Sequence, residues 1–264
     1  PKKTSTPTNR STPTPKATST PKMTPIPSPV ETKNTKTAQQ AINEMKIGWN
    51  LGNSLDSCNY QKRYIGQAQS VSYYETFWGN PQTTQEMIRE IKKAGFGSIR
   101  VPVTYYDHIN DDGTIDSAWL KRVKEVVGYV LDSGMYCILD MHHDSGFYEG
   151  GAWIVADADK YQENADKIKR VWVQIATEFR DYDYKLVFEG FNEILDSNRS
   201  INWKEGNADT VNVNRLNQVF VDTVRKTGGK NTDRFLAITT YGGATYQHLL
   251  ESFVMPKDTA NNKI

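Results

Sequence analysis

From residue 38 onward, short runs rich in β-branched and apolar residues alternate with longer stretches whose apolar residues recur every three or four positions. The short runs Gly48 to Asn53, Gly97 to Val103, Tyr136 to Met141, Leu186 to Phe191 and Phe235 to Thr240 are predicted strands. Thr84 to Ala94, Ser117 to Ser133, Asp159 to Arg180 and Asp209 to Thr227 are predicted helices. In the second helix Leu120, Val123, Val127, Val130 and Leu131 make one apolar stripe, with Ser117 as candidate N-cap and Gly134 just past the end. Lys263-Ile264 reads as the start of a further strand. Such alternation predicts an α/β fold with a parallel sheet, either doubly wound or closed into a barrel, and periodicity alone does not separate the two.

Residues 1–37 break the pattern. Positions 1–36 hold ten Thr, eight Pro and four Ser with almost nothing apolar, too little burial to repay ordering, so 1–37 reads as a disordered linker and 38–264 as the folded domain. A linker of this kind suggests an upstream module, for instance a carbohydrate-binding one. It also carries seven of the basic residues and one Glu, which leaves the remainder mildly acidic despite the overall +1. Its charges are spaced by Thr and Pro and no aromatic residue precedes Trp49, so nucleic acid is not the expected partner. No apolar run approaches the length of a membrane span. Two cysteines, Cys58 and Cys137, are too few for a disulfide scaffold, and Cys137 reads as a core thiol.

Polar residues capable of chemistry fall where the predicted strands run out: Asn53 and Asp56, Arg100, His142 and His143, Asn192 and Glu193. In parallel α/β folds that edge carries the site. Strand alternation puts Glu189 and Glu193 on one face; Arg100 on a neighbouring strand is the expected partner of Glu189, and Glu193, at the strand end, is the candidate for catalysis. Adjacent strand residues point to opposite faces, so His142 and His143 are not expected to share a metal ion. Trp78, Tyr105, Tyr106, Phe147, Tyr148 and Trp153 fall in or near predicted strand-end loops, and as a set suggest stacking surfaces for sugar rings. Nucleotide-binding and serine-elbow signatures are absent.

The segments Gly48-Trp49-Asn50-Leu51-Gly52-Asn53-Ser54-Leu55-Asp56, Ser98-Ile99-Arg100-Val101-Pro102-Val103, Leu139-Asp140-Met141-His142-His143-Asp144 and Phe188-Glu189-Gly190-Phe191-Asn192-Glu193 together resemble glycoside hydrolase family five, especially its bacterial endo-β-1,4-glucanases. The resemblance runs from about Lys46 to the last residue. It implies a (β/α)8 TIM barrel with Glu193 as general acid/base, Asn192 at the sugar 2-hydroxyl, and Arg100, His142 and His143 supporting the site. Asn53, Asp56, Trp78, Tyr106, Trp153 and Tyr241 would bind substrate. Such enzymes retain configuration, which requires a second carboxylate about 5–5.5 Å from the first. The family takes that nucleophile from its seventh strand, whereas this sequence stops as a sixth begins. Only the first five to six βα units are therefore expected, and the 264 residues alone are expected to be inactive.

The expected activity is retaining, endo-acting cleavage of β-1,4-glucan by a secreted monomer without metal or cofactor. Hydrolysis specific for mannan or xyloglucan is an alternative, as is a barrel that binds carbohydrate without cutting it. A metal-dependent hydrolase or lyase on a parallel barrel, using His142, His143, Asp140 and Asp144, is a third.

Overall fold

A computed structural model describes residues 33–58, 70–146, 152–199 and 209–264. The elements run α1 (Ala38–Met45), β1 (Gly48–Asn50), α2 (Val71–Thr76), α3 (Gln85–Lys93), β2 (Ser98–Val103), α4 (Ser117–Asp132), β3 (Tyr136–Met141), α5 (Tyr161–Glu178), β4 (Leu186–Glu189), α6 (Thr210–Lys226), β5 (Leu236–Ala237) and α7 (Gln247–Glu251). All five predicted strands and all four predicted helices are present, the strands shorter than predicted at four of five positions.

The sheet order is β1-β2-β3-β4-β5, every pair parallel, so each strand lies beside its predecessor. A doubly wound sheet reverses direction at a switch point; this winding does not reverse, and it is the order of a barrel's first five units. On the outer side of β5 the Leu236 N–H donates to Lys263 O at 2.9 Å, where the sequence suggested a further strand.

The helices bury the stripes their spacing demands. In α4 the buried residues are Trp119, Val123, Val126, Val127 and Val130, while Leu120 and Leu131 at the edges of the expected stripe are half-buried. The N-cap is Asp116 rather than Ser117: its carboxylate accepts from the N–H groups of Ala118 and Trp119, and an ionised cap also meets the positive helix end. Cys137 lies in the core, as read, and burial pushes its thiol pKa up.

Helix α1 was not foreseen. It is held by a capping box between Thr37 and Gln40, and its Ala41 joins Tyr136, Val187 and Phe235 in a small cluster at the N-terminal ends of the strands. The chain before it is tied down as well. Asn34 donates to Asp233, Lys263 donates to the carbonyls of Asn34 and Lys36, and Ala38 N–H donates to Asn262 O. Folded structure thus begins several residues before the expected boundary at 37, and the rest of the expected linker, 1–32, lies outside the described residues. No helix among the described residues is long and apolar enough to cross a membrane.

One close approach at the site edge depends on glycine. A Cβ at Gly190, directly after β4, would stand 2.7 Å from the Phe220 ring on α6, so only glycine lets helix and strand meet there.

Candidate active site

Neighbouring strands place Asn50, Arg100, Asp140 and Glu189 around one point. Arg100 pairs in register with Asn50, and Asp140 with Glu189. The Arg100 guanidinium donates to Glu189 twice, Nε to Oε2 at 2.7 Å and Nη2 to Oε1 at 2.8 Å, the bidentate geometry that suits arginine to carboxylates. Nη2 also lies 2.7 Å from Asp140 Oδ2 and 3.1 Å from Asn192 Oδ1, and Nη1 is 3.2 Å from Asn50 Oδ1. Burial works against the Arg100 charge, but Glu189 and Asp140 outweigh it and hold the group protonated. The expected Arg100–Glu189 pair is therefore present.

Asp140 is fully buried, and burial pushes its carboxyl up to about 7, while Arg100 pulls the other way. His142 Nδ1 is 2.6 Å from the same Oδ2 that meets Arg100. Burial, then the Arg100 charge, lowers the His142 pKa to about 4 although Asp56, Glu189 and Glu193 pull it up. Two donors converging on one oxygen favour an ionised Asp140 with a neutral His142 whose Nδ1 carries the proton; Nε2 is then left as the acceptor. His143 is lowered to about 3, by burial first and then by His142 and Arg100.

The expectation that the two histidines point apart is overturned. Strand β3 ends at Met141, so His142 and His143 lie in the turn beyond it, and their rings are 4.4 Å apart between centroids. With Asp56 they bring three metal-capable atoms within 4.8 Å of one another. Three such residues are one short of the four ligands of a closed structural zinc site.

Glu193 lies four residues past the end of β4, half-buried and within electrostatic reach of His142. Glycines from two other strand-end loops stand beside it. A Cβ on Gly146 would come within 3.9 Å of Oε2, and one on Gly243 within 3.7 Å of Cγ. Beside it, Asn192 is fixed by its N–H to Met141 O at 3.1 Å and by the Thr239 hydroxyl donating to its carbonyl at 3.1 Å.

Trp78 joins this group, its ring 5.3 Å from that of His143. Asp56 is buried, accepting from Ser54 N–H, and Asn53 is exposed with φ 58°, a left-handed conformation that asparagine tolerates.

Two expected substrate contacts sit differently, and a third, Trp153, has one face covered. Tyr241 is 1% exposed, packed in the core with its hydroxyl accepting from Asp196 N–H, so its ring offers a sugar no face. The Tyr106 hydroxyl is buried and turned toward the Cys58 thiol, itself pushed up to about 12 mainly by burial. Trp153 is half-buried, its indole N–H bound by Asp144 and one ring face under Lys167. Phe147 and Tyr148 lie outside the described residues. Asp140, central to the cluster, was read only as an alternative metal ligand; its place two residues before His142, near the end of β3, was the available signal.

The family model described as Cellulase (glycosyl hydrolase family 5) matches residues 61–264. Endoglucanase A of Ruminococcus albus is 39% identical over 225 residues, covering 84% of this chain and 58% of that protein. A family 5 glycoside hydrolase from Prevotella bryantii B14, solved with a xyloglucan tetradecasaccharide, superposes with a TM-score of 0.82 at 41% identity, covering 88% of this chain and 65% of that one. A broad-specificity endoglucanase from Ruminococcus champanellensis with bound cellotriose gives 0.81 at 38%, with the same coverages. The chain spans 25% to 58% of the length of eight of the curated relatives it matches. Winding, strand-end site and family match agree: the parallel units are those of a TIM barrel, and the chain belongs to glycosyl hydrolase family 5.

Proposed function

We propose that this chain supplies the acid/base half of a retaining, endo-acting β-1,4-glucanase site, with Glu193 protonating the leaving oxygen. The observation that carries the reading is the position of Glu193 at the C-terminal edge of the sheet, flanked by Gly146 and Gly243 and one residue from an Asn192 held by Arg100. Of the nearby carboxylates, Glu189 and Asp140 are both bound to Arg100, which leaves neither poised for attack. The nucleophile, about 5–5.5 Å from Glu193 in a retaining enzyme, would come from a later strand, and the 264 residues alone would be inactive.

The test is reducing-sugar release from carboxymethylcellulose by the complete protein and its Glu193→Gln variant. General-acid loss costs roughly 10²–10⁴-fold on polysaccharide and far less on a nitrophenyl glycoside, whose leaving group needs no proton. Equal polysaccharide hydrolysis by the variant would move the chemistry elsewhere.

A xyloglucan backbone is a second reading, supported by the xyloglucan complex of the Prevotella relative; relative rates on xyloglucan and unbranched glucan decide between them. Polymeric glucan is met outside the cell, so secretion belongs to the proposal, and finding the native protein confined to the cytoplasm would defeat that part.

A further inference from the structure

Asp144 is fully buried, just beyond the two histidines, and faces no arginine among its hydrogen-bond partners. Its Oδ1 accepts from the Trp153 indole N–H at 2.6 Å and its Oδ2 from the Tyr105 N–H at 2.7 Å. Its carbonyl accepts from the N–H groups of Trp153 and Ile154 at 2.8 and 2.9 Å. One residue therefore ties together the chain leaving β3, the chain returning nine residues later and the chain leaving β2. A buried carboxylate is costly unless its oxygens are matched, and here each is.

Both limbs of the tied loop abut the acid/base region. On the departing limb Gly146 lies against the Glu193 side chain, and on the returning limb Ala156 N–H donates to Leu195 O at 2.8 Å. The Lys167 ammonium sits 4.2 Å above one face of the Trp153 ring, so a sugar would have only the opposite face.

We propose that Asp144 is a positioning residue: it fixes the Trp153 indole and the loop limbs beside Glu193 for binding of the glucan chain. This rests on the glycosidase reading. Asparagine at 144 cannot serve both donors, because its amide presents one acceptor oxygen and one NH₂.

In the complete protein, Asp144→Asn and Trp153→Phe should each raise KM roughly tenfold, the size of one lost charge-assisted hydrogen bond, with kcat changed less. Because they break the same contact, the double variant should be no worse than either single one. Amide hydrogen exchange at Tyr105, Trp153 and Ile154, which needs no activity, should accelerate in Asp144→Asn. Accelerated exchange in a protein that cuts no glucan would sink the glycosidase reading and leave the clasp standing. Additive KM effects, an unchanged KM, or unaltered exchange would overturn the positioning role.

Discussion

Arg100 grips Glu189 through two parallel hydrogen bonds of 2.7 and 2.8 Å, and the same nitrogen that completes this grip reaches Asp140 and Asn192. Lysine cannot reproduce a fork. Arg100→Lys in the complete protein should leave Glu189 half-matched and the Asn192 side-chain oxygen without its Arg100 donor. The expected result is a loss of kcat/KM of at least about tenfold with a lowered Tm, the cost lying below the roughly 3–5 kcal/mol of a fully buried pair because both side chains are partly exposed. An unchanged Tm and activity would mean the cluster has no organising role.

The two histidines make stability fall with acid. Their folded pKa values, about 4 and about 3, lie below the ordinary 6.5, so the unfolded chain takes up protons first. Their contribution is present above about 6.5 and is lost as pH drops through 4 and then 3. Buried Asp144, raised to about 6, acts in the opposite sense: its contribution is present below about 3.8 and is lost as pH rises through 6. His143→Asn should flatten the acid side of a urea-unfolding series between pH 7 and 4; an unaltered slope would contradict a buried neutral imidazole at 143.

Arg234 uses all five of its donors on neutral oxygens. Nε donates to the Asn231 side chain, and the two terminal nitrogens reach the carbonyls of Asp183, Leu186, Phe179 and Tyr182. Arg234→Met should orphan these acceptors at about 1–3 kcal/mol for each one left dry. A drop in the urea midpoint far larger than for the exposed control Arg89→Met is expected, and equal drops would refute the clamp.

Gly190→Ala tests the contact of β4 with α6. The added methyl would meet Phe220 at 2.7 Å and should cost about 1–3 kcal/mol by thermal unfolding. Adding Phe220→Leu should recover part of that loss; a double variant no more stable than Gly190→Ala would place the strain elsewhere.

What the sequence disclosed depended on whether a pattern repeats. Strands and long helices carry several apolar residues each, so period alone located them, and Arg100 and Glu189 were paired because a buried carboxylate needs a cation. Helix α1 buries only Ala41 and gives no such stripe; its Thr37–Gln40 capping box was the one legible trace. His142 and His143 were assigned opposite faces by strand alternation, although the predicted strand, like the observed one, ends at Met141 and alternation does not extend past it. Tyr241 and Tyr106 follow strand ends, as cleft residues do, but whether a ring turns outward or into the core depends on distant neighbours such as Asp196 and Cys58.

The one-way winding of the sheet also sets an order of events. Arg100 on β2 meets Asp140 40 residues later, but Glu189 only after 89. At about 5–20 residues per second, a ribosome leaves roughly 4–18 seconds between the synthesis of the guanidinium and that of its bidentate partner. In that interval Asp140 is the carboxylate of the cluster already made on a neighbouring strand. Until Glu189 is made, Asp140 is thus the one of these two Arg100 partners present in the growing chain.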